Sequence, residues 1–263
     1  HTLTRALSSV IGQSSPADEI IVVDDGSEDN SAELVQRQFP QVRLIRQPNK
    51  GVSAARNIGI SAAQHDWIAL LDSDDEWLPH KLQSIRDVQA QYPQQALFHS
   101  DEIWIRNGQR VNPMHKHAKY GGWIFHHCLP LCVISPSAVV MRRDILESLG
   151  GFDESLPACE DYDLWLRVCH QYPVFYIDQP LIKKFGGHDD QLSRQYWGMD
   201  RFRIRSLDGL INRYNLSSEQ QQQAVSMLIK KLRILLKGAA KHDNRAIISE
   251  YQPLLDHYES RLC

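Results

Sequence analysis

Two short apolar runs that each end in acidic residues constrain the fold of this chain more than any other feature. Residues 19–23 (EIIVV) stop at Asp24 and Asp25, and residues 67–71 (WIALL) stop at Asp72. Continuous apolar runs of this length are typical of strands that are buried on both faces. Helix patterns alternate with these runs and cover residues 2–13, 27–39 and 51–63. Strands that alternate with helices predict an α/β fold with a parallel sheet covered on both faces.

The acidic residues follow the predicted strands at the edge where such a sheet binds ligands. In open parallel sheets, ligands lie beyond the carboxyl ends of the strands. A further strand is predicted at 42–46, and the basic segment 49–57 joins it to the next helix. We therefore expect a ligand near the two acidic clusters.

The second half of the chain is less regular and ends in helices. Strands are predicted at 96–105 and 138–141, and a helix at 160–170. Ser217 begins a further helix with the capping-box sequence SSEQ. No strand pattern follows residue 195. The sequence thus predicts a strand-containing domain at 1–195 and a helical region at 196–263.

Composition and charge argue against several classes of protein. The chain has 263 residues and a formal net charge of −3, which gives no general attraction for nucleic acid or anionic membranes. It has no run of about 18 apolar residues, so no transmembrane helix is predicted. Five cysteines without a disulfide spacing favour a reducing, cytoplasmic location. A targeting or anchoring segment before His1 stays open.

Four acids stand close together directly after the second apolar run, in the sequence DSDDE at 72–76. A hard divalent cation, Mg²⁺ or Mn²⁺, relieves the repulsion between such carboxylates because it binds their oxygens. Mg²⁺ usually combines one or two carboxylates with substrate phosphates, so the pattern indicates a phosphorylated ligand. The alternative is a solvated acidic turn that caps the helix expected near Leu78.

Two further segments suit the parts of a nucleotide. A carboxylate in the segment 24–27 (DDGS) can accept hydrogen bonds from a base or a ribose; the alternative is that Asp25 or Ser27 caps the next helix. The segment 49–57 offers a glycine, helix N-terminal N–H groups and the cations Lys50 and Arg56 for a diphosphate. A solvated basic helix start is the alternative there.

These segments resemble the family 2 glycosyltransferases, which have a GT-A fold. The resemblance rests on VVDDGSEDNS (22–31), NKGVSAARNIGI (49–60) and LLDSDDEW (70–77), in the order and approximate spacing of the family. It continues with GGFD (150–153), ACEDYDLWLR (158–167) and GHDDQLS (187–193). It covers about residues 1–195 and implies a GT-A-like nucleotide-binding sheet flanked by helices, with a helical tail at 196–263.

The resemblance assigns five residues to the donor nucleotide. Asp25, with Asp24 second, would contact the base or the ribose. Lys50 and Arg56 would lie near the ribose or the diphosphate, and Asp72 would lie close to the same ligand.

The resemblance also assigns metal ligands and a catalytic base. Asp72 and Asp74 would form the metal-binding D-x-D for Mn²⁺ or Mg²⁺, with Asp74 the more direct ligand. His188 would be a further metal or diphosphate contact. Asp161 would be the catalytic base, and Glu160 would lie beside it near the acceptor.

The function implied is transfer of a sugar from a nucleotide-diphosphate sugar, with UDP the expected nucleotide, to a hydroxyl of a glycan or lipid-linked acceptor. A single base on the acceptor side predicts inversion at the anomeric carbon. Members of the family open with a strand that cradles the nucleotide base. This sequence begins after that strand, in the first helix, so we expect the first strand to be missing.

The sequence leaves three alternative functions and contains two other patterns that could indicate a binding site. A receiver-like Mg²⁺-binding signalling domain, an inactive sugar-nucleotide binding module and a nucleotidyltransferase are the alternative functions. The sequence HHCLPLC at 126–132 suggests zinc, but it has no second ligand pair at metal spacing, so a buried loop is favoured. The segment 227–237 predicts a basic amphipathic helix that packs on the catalytic domain; peripheral membrane contact or self-association is the alternative.

Overall fold

The alternation of strands and helices in the N-terminal half is confirmed by the structure, a computed structural model that describes residues 2–112, 114, 117–187 and 196–261. The elements of this half are α1 (Thr2–Ile11), β1 (Ile21–Asp25), α2 (Ser31–Gln38), β2 (Arg43–Gln47), α3 (Val52–Ala62) and β3 (Trp67–Ala69). Each lies within or next to the segment predicted for it. The apolar face of α1 is buried through Ala6, Leu7 and Val10, as its spacing requires.

The middle of the chain contains the predicted elements and several more. They are β4 (Glu76–Trp77), α4 (Lys81–Gln91), β5 (Leu97–Arg106), β6 (Gln109–Val111), α5 (Phe125–Cys128), a 3₁₀ turn (Pro136–Ala138), β7 (Val140–Arg142), α6 (Arg143–Ser148), α7 (Glu160–Cys169) and β8 (Phe175–Gly186). The helix expected near Leu78 begins at Lys81. Strand β8 escaped the sequence prediction because Asp178, Gln179 and two lysines interrupt its apolar residues.

The strands form two sheets, and the prediction of one parallel sheet is wrong. Strands β1 and β2 form a parallel pair, while the larger sheet has the order β3-β7-β5-β8-β4 with β6 beside β5. Strands β5 and β8 are parallel, whereas β3–β7, β5–β7 and β4–β8 are antiparallel. The alternation along the chain predicts which segments are strands, but strand direction in this sheet depends on pairings between segments far apart in sequence.

A cavity of about 720 Å³ separates β1 from β3. Within the part of the chain that the structure describes, β1 pairs only with β2, and β3 pairs only with β7. Apolar side chains from α1, α3 and both strands line the cavity, including Leu7, Val23, Ile60 and Ile68.

The C-terminal region is helical, as predicted, and consists of α8 (Asp200–Arg213), α9 (Ser218–Lys241) and α10 (Arg245–Ser260). The capping box at Ser217 is confirmed, since its hydroxyl accepts from the Gln220 N–H and the Gln220 side chain accepts from the Ser217 N–H. The domain boundary at 195/196 borders residues outside the described part and stays a prediction.

Packing is confirmed for the apolar face of the basic amphipathic helix. Leu228, Leu232 and Leu236 of α9 are buried in the main hydrophobic core, together with residues of α5, α7 and α8. Lys230, Arg233, Ile234 and Lys237 occupy the exposed face. None of the described helices is both long and apolar enough to cross a membrane. Peripheral contact or self-association through the outer face stays a prediction.

Candidate active site

The two acids at the end of β1 organise the loops around them. Asp25 accepts hydrogen bonds from the backbone N–H groups of Lys50 and Gly51, both at 2.8 Å, and from the Gln47 side chain. Gly26 permits this approach, because its φ of +75° favours glycine and a Cβ there would lie 2.6 Å from the Asn49 nitrogen. Asp25 therefore ties the loop after β1 to the start of α3.

Asp24 is buried beside Asp25 and carries a compensated charge. Its carboxylate accepts from the Ser27 N–H at 3.0 Å and pairs with Arg46 at 3.2 Å. Burial raises the pKa of Asp24. The Ser27 hydrogen bonds and the Arg46 charge lower it by a larger amount, so the pKa lies below its usual value. The alternative that Asp25 or Ser27 caps α2 is wrong, since Asn30 is the N-cap residue.

The start of α3 presents one exposed cation and one buried cation. The Lys50 side chain is exposed, next to the N-terminal Gly51 of the helix. Arg56, one turn further on, is 13% exposed and bridges two carboxylates. Its Nη2 lies 2.7 Å from Asp72 Oδ1, and its Nη1 lies 2.7 Å from Glu160 Oε1. The alternative of a solvated basic helix start is therefore wrong for Arg56.

The acidic residues after β3 divide into two environments. Asp72 keeps 32% of its side chain exposed, and Asp74 is half-buried. Asp75, in contrast, is 2% exposed; it accepts from the Ser137 hydroxyl at 2.6 Å and from the Phe185 N–H at 3.0 Å. Burial first, and then the charge of Asp72, raises the pKa of Asp75 to about 7. Asp75 thus connects the loop after β3 to Ser137 and to Phe185 of β8. The alternative of a solvated turn that caps a helix is wrong for Asp75, since His80 is the N-cap residue of α4.

The donor set of Asp72 and Asp74 suits a hard cation that arrives with a phosphorylated ligand. Both supply carboxylate oxygens, and Mg²⁺ in proteins commonly combines one or two carboxylates with substrate phosphates. Among the described residues, no group of three or more His, Cys, Asp or Glu residues is placed to hold a metal on its own. His188, the predicted third contact, lies outside the described residues.

The predicted catalytic pair begins α7. Cys159, in the left-handed conformation with φ of 62°, turns the chain into the helix. Glu160 is 7% exposed and pairs with Arg56; burial first, and then Asp161, raises its pKa, which Arg56 opposes. Asp161 is half-exposed; Oδ1 accepts from the Tyr162 N–H at 2.7 Å, and Oδ2 accepts from the Cys132 thiol at 3.2 Å. Of the two acids, Asp161 is the more accessible.

Two further side chains belong to the site although sequence reasoning missed them. Cys132 contacts Asp161, but in the sequence it belonged only to a rejected zinc pattern. Lys184 of β8 donates to Ser135 Oγ at 3.0 Å. Burial lowers the pKa of Lys184, but the charges of Glu102, Asp75 and Asp72 raise it more, so Lys184 stays protonated. The sequence contains two lysines at 183–184, but it predicts no strand there and so does not indicate which way their side chains point.

The structure brings most of the predicted site residues to one place. Asp24, Asp25, Arg56 and Asp72 all line the cavity between β1 and β3. Arg56 connects this group to Glu160, and Asp161 is the next residue of α7. One side of the site thus carries the predicted nucleotide contacts and the other the predicted base.

Comparison with known proteins agrees with this arrangement. The family model described as glycosyl transferase family 2 matches residues 1–150, more than half of the chain. This chain belongs to glycosyl transferase family 2. A second model, glycosyltransferase like family 2, matches residues 119–204. Membership of the family rules out the receiver-like signalling domain.

Two relatives of this chain show how much of a longer protein the match covers. A protein of Nostoc sp. named as an uncharacterized glycosyltransferase is 46% identical over 184 residues, 66% of this chain and 56% of the relative. The amylovoran biosynthesis glycosyltransferase AmsE of Erwinia amylovora is 28% identical over 211 residues, 75% of each chain. The chain therefore spans little more than half the length of the Nostoc relative.

The fold of a solved structure confirms the GT-A prediction. The crystal structure of residues 1–349 of S. aureus TarS in complex with UDP-GlcNAc matches 98% of this chain and 88% of that chain. The TM-score is 0.65 at 16% sequence identity, a likeness that shows the fold of this family 2 chain.

Proposed function

We propose that this chain transfers a sugar from a nucleotide-diphosphate sugar to an acceptor hydroxyl, with UDP as the nucleotide and with inversion at the anomeric carbon. The observation that carries the proposal is the juxtaposition of an accessible carboxylate, Asp161, with the Arg56–Asp72–Glu160 group. Family membership supports glycosyl transfer, and the UDP-GlcNAc named with TarS supports a UDP-linked donor.

The donor is assigned to the side of the site formed by β1, β2 and α3. Asp24 and Asp25 would face the base or ribose, and the exposed Lys50 would approach the diphosphate. Asp72 and Asp74 would hold Mn²⁺ or Mg²⁺; when bound, the cation would neutralise charge on the diphosphate. Asp72 also contacts Arg56 through Oδ1.

The acceptor is assigned to the side formed by α7. Asp161 takes the proton of the acceptor hydroxyl while the hydroxyl oxygen forms a bond to the anomeric carbon. The bond from that carbon to the diphosphate oxygen breaks, and the nucleoside diphosphate leaves with the electron pair. One displacement by one nucleophile inverts the configuration. The hydrogen bonds from Cys132 and the Tyr162 N–H orient the Asp161 carboxylate for this step.

The proposed acceptor is based on the name of a relative, and the proposed location is based on the free cysteines. We propose a glycan or lipid-linked acceptor, since AmsE is named for amylovoran biosynthesis. Four cysteines of the described part, Cys128, Cys132, Cys159 and Cys169, are free thiols, which favours the cytoplasm.

The proposal is tested by incubating the protein with a panel of nucleotide sugars, with and without Mn²⁺, and measuring release of the nucleoside diphosphate. We expect release from at least one UDP-sugar and stimulation by Mn²⁺. Binding of UDP-sugars without release, even with a panel of glycan acceptors, would favour the inactive binding module. Absence of both binding and release would contradict the proposal.

A further inference from the structure

The Arg56 side chain joins the two sides of the site. It is surrounded by carboxylates, unlike an arginine that is free to bind a diphosphate. Its two terminal nitrogens each lie 2.7 Å from a different carboxylate, Asp72 and Glu160. Its guanidinium carbon lies 5.0 Å from the centre of the Phe152 ring. We propose that Arg56 is a positioning residue that holds Glu160, and through it the start of α7, in register with Asp72. This inference rests on the proposed function.

The guanidinium is suited to this bridge and occupied by it. A guanidinium is a rigid, planar fork, so contacts at both ends fix the relative position of the two groups that they touch. The Arg56 side chain is only 13% exposed, whereas the neighbouring Lys50 is exposed at the surface. Lys50 is therefore the cation of this segment that can meet a phosphate without breaking existing ion pairs.

Glu160 needs the bridge because of its own position. It is 7% exposed, and the charge of Asp161 follows it directly in the chain. Burial and Asp161 both raise the pKa of Glu160, and Arg56 is the cation that opposes them. Without Arg56, a carboxylate in this place either takes up a proton or moves toward water. Either change displaces the first turn of α7, where Asp161 is held.

This series of contacts makes the position of the proposed base, Asp161, depend on Asp72, which lies on the donor side of the site. Asp72 lines the cavity between β1 and β3 together with the proposed nucleotide contacts Asp24 and Asp25. Arg56 links Asp72 to Glu160, and Asp161 is the next residue of α7. Cys132 and the Tyr162 N–H then fix the Asp161 carboxylate from the other side. Arg56 consequently acts through other residues on the transfer step, and contributes little to the affinity for the nucleotide.

The variant Arg56→Lys tests this role because it keeps the positive charge and removes the fork. We expect kcat at saturating donor to fall by about 10- to 100-fold, the size of effect that a small displacement of a reacting group produces. The Kd for UDP in the presence of Mn²⁺, measured by calorimetry, should stay within about two-fold of the wild type. Arg233→Lys is the matched control, since Arg233 pairs with Glu259 on the C-terminal helices; its kcat should not change.

The double variant with Glu160→Gln separates positioning from a general loss of structure. If both residues act through one bridge, the losses in kcat do not multiply, and the double variant is no more than about three-fold slower than Arg56→Lys alone. A structural defect would instead lower the melting temperature and weaken UDP binding in all variants.

The opposite results overturn the inference. An Arg56→Lys variant that loses about 10-fold or more in UDP affinity while keeping its kcat would make Arg56 a donor ligand. An unchanged kcat together with unchanged affinity would show that the bridge has no role. A wild-type protein that releases no nucleotide from any nucleotide sugar contradicts the proposed function itself. In that case a loss of UDP affinity in Arg56→Lys would still make Arg56 a donor ligand, and an unchanged affinity would exclude that role.

Discussion

Strand β1 and helix α7 each carry two consecutive acids at one end, but their surroundings differ. One residue in five of β1 is buried, whereas nine of the ten residues of α7 are buried. Asp25 accepts hydrogen bonds from backbone N–H groups of an exposed loop. Glu160 accepts instead from the side chain of Arg56, and Asp161 accepts from the side chain of Cys132. β1 also borders the 720 Å³ cavity, and α7 lies in the main core.

This difference indicates how the two sides of the site work. Segments with few buried apolar contacts open locally at low cost, so the β1 side is the part whose order depends on what it binds. The α7 side is packed in the main core, which would suit the base that we propose there. We therefore expect changes on the β1 side to alter donor affinity and changes at α7 to alter the rate of transfer.

The largest effect is expected for Asp161→Asn. The substitution keeps the shape of the side chain and removes its ability to take a proton. A lost general base typically costs ~10²–10⁴-fold, so kcat should fall by that amount while the Kd for UDP stays nearly unchanged. Steady-state kinetics and calorimetry measure the two quantities. If the variant keeps more than roughly half of the wild-type kcat, another residue is the base.

The next largest effect is expected for Asp74→Ala on the donor side. Removing a direct ligand should weaken Mn²⁺-dependent UDP binding by at least the roughly 10- to 100-fold that loss of an outer contact costs. UDP binding measured in EDTA should be equally weak in both proteins. Equal affinities for UDP in Mn²⁺ would show that Asp74 holds no cation.

A smaller effect is expected for Cys132→Ala, which removes the thiol that donates to Asp161. One hydrogen bond to a charged group contributes about 1.5–3 kcal/mol, and only part of this acts on the transition state, so kcat should fall by about 3- to 10-fold. The variant Cys132→Ser retains a donor and should recover most of the rate. A UDP affinity that falls together with kcat in both variants would contradict the division of the site into a donor side and an acceptor side.

The smallest effect is on stability and concerns Lys81, which is fully buried and donates to the Ala138 carbonyl at 2.9 Å. Burial lowers its pKa from 10.5 to about 7. As the pH falls from 10.5 to 7, the unfolded chain takes up a proton that the folded protein does not, so stability decreases and levels off below pH 7. Thermal unfolding should show Tm rising from pH 7 to pH 9.

The variant Lys81→Met isolates this contribution. It should raise Tm at pH 7 by about 2–4 °C for each kcal/mol gained and flatten the rise toward pH 9. Lys237→Met, at an exposed position of α9, is the control and should leave the pH dependence unchanged. A Lys81→Met protein with the same slope as the wild type would show that Lys81 stays charged in the fold.

The sequence was informative where local patterns decide the structure. Arg56, Asp72 and Glu160 come from three separate motifs of the resemblance, and the fold brings them into contact. Which acids face the ligand was not predictable, because Asp75 is turned inward by Ser137 and Phe185, residues 62 and 110 positions away.

The missed residues depend on strand pairing in the same way. Lys184 reaches the site because β8 pairs with both β5 and β4, and the polar residues that conceal β8 as a strand are among those that face the site. Cys132 has no local signal, since its hydrogen bond to Asp161 joins residues 29 positions apart. Both contacts follow from long-range packing, which a single sequence does not display.

Hydrogen exchange with and without UDP and Mn²⁺ tests the division between the two sides most directly. In the absence of nucleotide, amides of β1 and of the start of α3 should exchange at least about 10-fold faster than those of α7. Addition of UDP and Mn²⁺ should slow exchange at β1 and at residues 43–57 and leave residues 160–169 unchanged. Equal protection of β1 and α7 before nucleotide is added, or a gain confined to α7, would contradict the account.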